Sequence, residues 1–227
     1  WLLKQLLEAA GHTVGVLSTI EFSIAGESKL NDKKMTMLGK MEIQRYLRKM
    51  VEKGCDVAIV ETTSEGRLQY RHRFINYDIM LLTNLYPEHI ESHGSFEKYR
   101  QAKVDLFAYA ASCGRKKLNG KEIQKTALIN GGVDGFAQFL NFPFDKKETF
   151  GSKSGFDAEY VQEKENGLHF SIHDRAFHAP LYGQHNVDNI LAAVAVARLL
   201  DISWSSIQKT VSEFKSPPGR IEEITEA

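Results

Sequence analysis

The sequence predicts an α/β fold, a mostly parallel sheet flanked by helices with a small antiparallel β appendage. Three observations lead there. Two apolar runs, 55–60 and 79–82, each end in polar residues, which suits parallel strands buried on both faces. Segments of helical period stand before, between and after them. From 149 to 181 the pattern turns to alternation, with Phe156, Ala158 and Tyr160 on one side of an Asn166-Gly167 turn and Leu168, Phe170 and Ile172 on the other.

Residues 1–10 place Leu2, Leu3, Leu6 and Leu7 on one helical face, and Gly11 follows where a left-handed cap is wanted. A short strand is expected at 12–19, and the polar stretch 26–36 reads as a loop or weak hairpin. A second amphipathic helix carries Ile43, Leu47, Met50 and Val51 and stops at Gly54. The strand 55–60 delivers Glu61, and the strand 79–82 delivers Thr83 and Asn84. Ser95 suits the N-cap of a helix running to about residue 111. A further strand, 125–130, precedes a short helical patch. Two closing helices, 186–200 and 203–214, end before Pro217 and Pro218. No repeat, low-complexity tract or long linker divides the chain, so one domain is expected.

Composition narrows the function class without naming it. A chain of 227 residues that is 42% hydrophobic can build a sizeable core. Lys plus Arg and Asp plus Glu number 29 each, so no global field draws the chain to nucleic acid or to an anionic membrane. An anionic ligand must be held by local groups. Cys55 and Cys113 are too few for a disulfide framework, and no apolar run reaches the roughly 20 residues that span a bilayer. A reduced cytoplasm fits, with Cys55 an inert hydrophobe and Trp204 a core residue. Because Trp1 already stands inside a helical pattern, the chain reads as a piece of a longer protein.

Both apolar strands release polar residues at their C-terminal ends, the edge where open α/β sheets place ligands. Glu61 closes the first, and the second leads through Thr83-Asn84-Leu85 to Glu88, His89, Glu91 and His93. On the helix after Ser95, Phe96, Tyr99, Leu106, Phe107 and Ala110 form a stripe with Lys103 in its middle. That lysine should face inward. A buried ammonium is costly unless paired or chemically altered; it can snorkel to water, or lose its proton and take up carbon dioxide as a metal-binding carbamate. Glu61, His89 and Lys103 together would suit magnesium. The rival is zinc on His89, His93 and an acid, which needs both histidines on one helix where this segment reads as a loop.

Several blocks, in order, carry a resemblance. They are Glu61-Thr62-Thr63-Ser64 with Gln69 and Arg71; Thr83-Asn84-Leu85 with Glu88-His89; His93-Gly94; and Tyr99 to Lys103. Thr149-Phe150-Gly151 follows, then Gly183-Gln184-His185-Asn186 with Asn189, Ala192 and Ala193, and last Pro218-Gly219-Arg220-Ile221-Glu222. Set in this order, they resemble the central, P-loop-type ATP-binding domain of the Mur ligases, over nearly the whole of 1–227. The branch implied is the one that adds the third amino acid to UDP-MurNAc-dipeptide.

The resemblance implies that Glu61, His89 and a carbamylated Lys103 are catalytic and hold Mg2+. It implies that Thr63, Ser64, Gln69 and Arg71 bind the phosphates and sugar of the UDP-MurNAc substrate. It further implies that Asn189 reads adenine beside His185 and Asn186, and that Arg220 reaches the ATP phosphates. The reaction implied is amide synthesis through an acyl phosphate, with ATP and Mg2+, by a cytoplasmic monomer that takes UDP-MurNAc-dipeptide and diaminopimelate or lysine. Folylpolyglutamate synthetase, the other Mur ligases and a non-catalytic nucleotide-binding relative are the alternatives. The sequence departs from the family pattern at Glu65, where histidine is usual, and at Glu88, where aspartate is usual. The glycine-rich phosphate loop, the uridine-binding N-terminal domain and the C-terminal domain lie outside the sequence, so the domain alone is not expected to turn over.

Overall fold

Leu6 and Leu7 form the buried edge of the opening helix α1 (Leu2–Ala9), and Gly11 ends it at φ 91°. The computed structural model describes residues 1–33, 35–87, 90–152 and 154–218. Strand β1 (Val14–Leu17) is followed by β2 (Glu21–Ile24) and β3 (Glu27–Leu30), whose hairpin turns at Ala25 and Gly26 with φ 51° and 86°. Positive φ at both central residues matches the right-handed twist of paired strands. Then come α2 (Lys40–Glu52), β4 (Val57–Val60), α3 (Ser64–Leu68), β5 (Ile79–Leu82), α4 (Ile90–His93) and α5 (Phe96–Ser112). A small hairpin, β6 (Lys117–Leu118) and β7 (Lys121–Glu122), precedes β8 (Thr126–Asn130), a 3-10 turn at Phe136–Leu140 and β9 (Lys146–Phe150). The appendage is β10 (Glu159–Lys164), β11 (Gly167–Ile172) and β12 (Arg175–Ala179), and the chain closes with α6 (His185–Leu199) and α7 (Trp204–Ser212).

The fold is α/β as the patterning predicts, with its parallel strands in two groups. One sheet runs β3-β2-β1-β4 and another β5-β8-β9, while β10-β11-β12 is antiparallel throughout. The pairings of β1 with β4, β5 with β8 and β8 with β9 are parallel, and each spans a helical crossover. Strands β4 and β5 do not bond to each other, yet Val57 and Ile59 of one and Ile79 and Leu81 of the other pack against the same core. That core surrounds α6, where Val187 and every residue from Ile190 to Ala197 are buried among Leu6, Leu7, Val16, Leu128, Phe150 and the inner face of the appendage. A helix apolar on all sides needs such a central place. A second core joins α5 to the other face of β5 and β8 through Met80, Leu82, Ala127, Ile129, Leu106 and Phe107.

Four sequence expectations are corrected. The runs expected to be buried on both faces, β4 and β5, are not, in contrast to β1 and β8. Ala58 of β4 is exposed and burial along β5 alternates, and among the described residues each of these strands has a hydrogen-bonded neighbour on one edge only. Val51 is 72% exposed, since α2 buries Ile43 and Met50 with Leu47 between them and Val51 lies further round the helix. Tyr160 is 83% exposed because the register shifts between Glu159 and Gln162 and its own φ is 54°, a bulge that turns the side chain outward. His93 sits in the helical turn α4 rather than in a loop, and it is buried. Cys55 and Cys113 are free thiols, and no helix among the described residues is long and apolar enough to cross a membrane.

One buried histidine couples this fold to pH. His72 is 2% exposed, stands edge-on to Tyr109 with ring centroids 4.7 Å apart, and leaves Nδ1 without a hydrogen-bond partner. Burial, and then the Arg67 charge, hold its pKa below the ordinary 6.5. The unfolded chain therefore binds more protons than the folded one as pH falls below 6.5 toward the lowered folded value, and stability declines in that window. Urea midpoints should fall between about pH 7.5 and pH 5.5, and His72→Gln should flatten that part of the profile. An unchanged slope in the variant would assign the effect to other groups.

Candidate functional site

Ser95 caps α5 by accepting from Lys98 N at 3.2 Å, which fixes where the helix starts and hence which way Lys103 points. Lys103 lies between buried Ala102 and Val104 and is itself half-buried. Its Nζ donates to the Asn84 carbonyl at 3.2 Å and stands 4.9 Å from the ring centroid of Tyr99, one turn earlier on the helix. Instead of reaching out to bulk water, the amine turns to the C-terminal end of β5.

That strand end belongs to a wider junction organised by Asn130, a residue to which sequence reasoning assigned no role. Asn130 is 5% exposed at the end of β8. Its Nδ2 donates to Thr83 O at 2.9 Å and its Oδ1 accepts from Gly132 N at 2.8 Å. A Cβ added at Gly151, just past β9, would come within 2.8 Å of Asn130 Oδ1 and 3.6 Å of Asp188 Oδ1 on α6. Glycine is therefore needed where these backbones crowd together. The ends of β5, β8 and β9 and the first turn of α6 meet at one place, with Lys103 on its rim. The one signal in the chain is an amide side chain at the end of the apolar run 127–129, followed by Gly131-Gly132.

Glu61 closes β4, and its Oε2 accepts from Thr19 N at 2.7 Å and Thr19 Oγ1 at 2.9 Å. The other carboxylate oxygen accepts no hydrogen bond among the described residues, and the side chain is exposed. Among those residues no group of three or more His, Cys, Asp or Glu side chains comes together as a metal site. His89, the third expected ligand, lies outside the described residues, as do Glu88 and Arg220.

The next four expected residues flank or lie on α3. Thr63 caps it, Oγ1 accepting from Gly66 N at 3.0 Å. Ser64 is 4% exposed, and its Oγ lies 3.0 Å from His93 Nε2, a contact that ties α3 to α4. Gln69 is exposed at the helix end. Arg71 donates from Nη1 to Met37 O, which fastens the guanidinium to the segment before α2. Glu65 lies in the first turn of α3, where a carboxylate favours the helix dipole. Arg67 bonds Asp105 at 2.9 Å, docking α3 against α5 two residues from Lys103.

At the start of α6, Asn186 Nδ2 donates to Tyr182 O at 2.7 Å, and Asn189 Nδ2 donates to Asn186 Oδ1 at 3.1 Å. This relay sets the Asn189 amide with its Oδ1 available outward. His185 and Asn189 are exposed, and Asn186 is half-buried. The loop entering the helix is held by the appendage, since Glu163 Oε1 accepts from Gly183 N at 3.2 Å and Tyr182 OH donates to Glu165 O at 2.8 Å. Nothing in the patterning of the chain signals the Glu163 contact.

Residues 1–197 match the family model described as the Mur ligase middle domain. The UDP-N-acetylmuramoyl-L-alanyl-D-glutamate-2,6-diaminopimelate ligase of Chlamydia abortus is 31% identical over 230 residues, covering 98% of this chain and 45% of the relative. The UDP-N-acetylmuramyl-tripeptide synthetase of Deinococcus radiodurans is 28% identical, covering 98% of this chain and 44% of its own length. A solved structure of a UDP-N-acetylmuramoyl-L-alanyl-D-glutamate-2,6-diaminopimelate ligase superposes with a TM-score of 0.82 at 22% identity, over 100% of this chain and 45% of that one. The chain thus spans under half the length of the curated relatives it matches. With an α/β frame, helical crossovers and strand ends gathered on one edge, the chain belongs to the Mur ligase family, whose middle domain residues 1–197 match.

Proposed function

We propose that the protein carrying this domain is an ATP-dependent, ADP-forming amide ligase that adds the third amino acid to UDP-MurNAc-L-Ala-D-Glu in peptidoglycan synthesis. Its working place is the cytoplasm, and it acts as a monomer. The observation that carries this reading is the half-buried Lys103 amine, held 3.2 Å from Asn84 O at the C-terminal edge of the parallel strands. The γ-phosphoryl group of ATP passes to the carboxylate of the bound peptide, releasing ADP. The amine of diaminopimelate or lysine then attacks the acyl phosphate, and phosphate leaves as the amide forms.

The donor set suits a hard divalent ion. Glu61 has one carboxylate oxygen committed to Thr19 and the other uncommitted, and a carbamate on Lys103 would add a second oxygen donor. A Mg2+ held by Glu61, His89 and that carbamate would neutralise charge gathering on the transferring phosphoryl group. Asn189, aligned through Asn186, presents an amide oxygen to the adenine amino group, with His185 beside it. Arg220 supplies a guanidinium for the ATP phosphates. Thr63, Ser64, Gln69 and Arg71 supply hydroxyl, amide and guanidinium groups for the UDP-MurNAc substrate. For Ser64 and Arg71 this requires sharing donors with His93 and Met37 O.

The test is release of ADP and phosphate by the whole protein. It is supplied with UDP-MurNAc-L-Ala-D-Glu plus either diaminopimelate or lysine, with folate plus glutamate, or with ATP alone. Release should require the muramoyl dipeptide and one of the two amino acids. Turnover with folate would move the protein to folylpolyglutamate synthesis, and release with no acceptor set would leave a nucleotide-binding module. Asn189→Ala should raise KM for ATP about tenfold, the worth of one good hydrogen bond, without altering KM for the dipeptide.

A further inference from the structure

The outer face of the appendage holds two imidazoles that the ligase site does not use. His169 on β11 and His178 on β12 are direct cross-strand partners, with ring centroids 4.7 Å apart and planes inclined by 35°. Leu168, Phe170, Phe177 and Ala179 take the core face, so strand alternation sends both histidines outward, where each stays half-buried. Gln162 of β10 completes the row across the sheet.

Both rings are anchored on one residue of the β10–β11 turn. His169 Nε2 lies 2.8 Å from Asn166 Oδ1, and His178 Nε2 lies 2.8 Å from Asn166 O. Both partners are carbonyl-type oxygens that can only accept, so each Nε2 carries its proton. The lone pair of each neutral ring then sits on Nδ1. Neither Nδ1 makes a hydrogen bond among the described residues. This is the arrangement in which a metal-bound histidine is usually held, one ring N–H fixed by a backbone or amide oxygen and the other nitrogen presented as a Lewis base.

We propose that His169 and His178 form a two-imidazole site for a borderline divalent transition-metal ion, of the Zn2+, Ni2+ or Cu2+ class, bound through the two Nδ1 atoms with water completing the coordination. Imidazole donors on a sheet face without a third carboxylate or thiolate favour these ions over Mg2+ or Ca2+. With two protein ligands, affinity falls well below that of a closed four-ligand site. A bound ion would clip β11 to β12 beside the turn that holds Tyr182 and Gly183, and so would brace the loop entering α6. None of this depends on the ligase reading.

The test is titration of the whole protein with Zn2+, read by the imidazole nitrogen resonances of the two rings and by thermal unfolding. Expected are perturbation of both Nδ1 signals in step, with the Nε2 protons retained, and a rise in Tm. His169→Gln and His178→Gln should each weaken this binding at least tenfold. Asn166→Ala, which removes the acceptor under His169 and leaves the backbone carbonyl under His178, should weaken it about tenfold. If either histidine variant does not fold by circular dichroism, the ring resonances of the unsubstituted protein decide. Nδ1 signals that stay put while zinc binds elsewhere, or folded single variants that bind as well as the parent, would overturn the proposal.

Discussion

Lys103→Ala should lower kcat for ATP-dependent ligation on the order of 10³-fold, corresponding to the loss of about 4 kcal/mol of transition-state stabilisation. The amine it removes is half-buried and donates to Asn84 O, so its place at the strand ends is set by the fold and not by chance surface contact. Lys103→Arg separates a charge role from a carbamate role. Arginine keeps the positive charge and can reach a carbonyl, but its guanidinium neither gives up its proton nor takes up carbon dioxide. If the lysine works as a carbamate, the arginine variant should be as inactive as the alanine variant. A carbamate carbon signal should then appear with labelled bicarbonate in the parent protein only. Substantial turnover by the arginine variant would remove the carbamate from the mechanism.

Asn130→Leu should destabilise the domain by about 2 kcal/mol, since the buried Asn130 amide gives up two hydrogen bonds at once, to Thr83 O and Gly132 N. Denaturant melts read this directly. Asn130→Asp isolates one half of the junction, retaining an oxygen for Gly132 N while facing Thr83 O with a group that donates only when protonated. Because Thr83 adjoins Asn84, on which Lys103 rests, both variants should also lower kcat at temperatures where they remain folded. A variant with normal melting and normal turnover would show that water replaces the amide without loss.

Features written locally in the chain are legible from the sequence alone. Ser95 caps α5, Gly11 and Gly54 end helices at positive φ, and Asn166-Gly167 turns the hairpin, because each acts within a few residues of itself. The family itself is legible as ordered blocks, and Lys103 as an interruption of an apolar stripe. What escapes is non-local. Asn130 reaches Thr83 across 47 positions, and no spacing rule announces such a pair. His169 faces His178 only once register is fixed, and the bulge at Tyr160 reverses a side chain that simple alternation turns inward. The division of the parallel strands into two groups depends on which edges find neighbours, which hydrophobic runs alone do not encode.

The crowded shaft of α6 has a consequence for how such a domain can diversify. Ala192, Ala193, Ala195 and Ala197 leave room for little more than a methyl group beside sheet and appendage, whereas His185 and Asn189 at the tip face open solvent. Enlarging a residue along the shaft would pry several layers apart at once. Exchanging one at the tip disturbs no packing, so that surface can be rewritten while the architecture stays frozen.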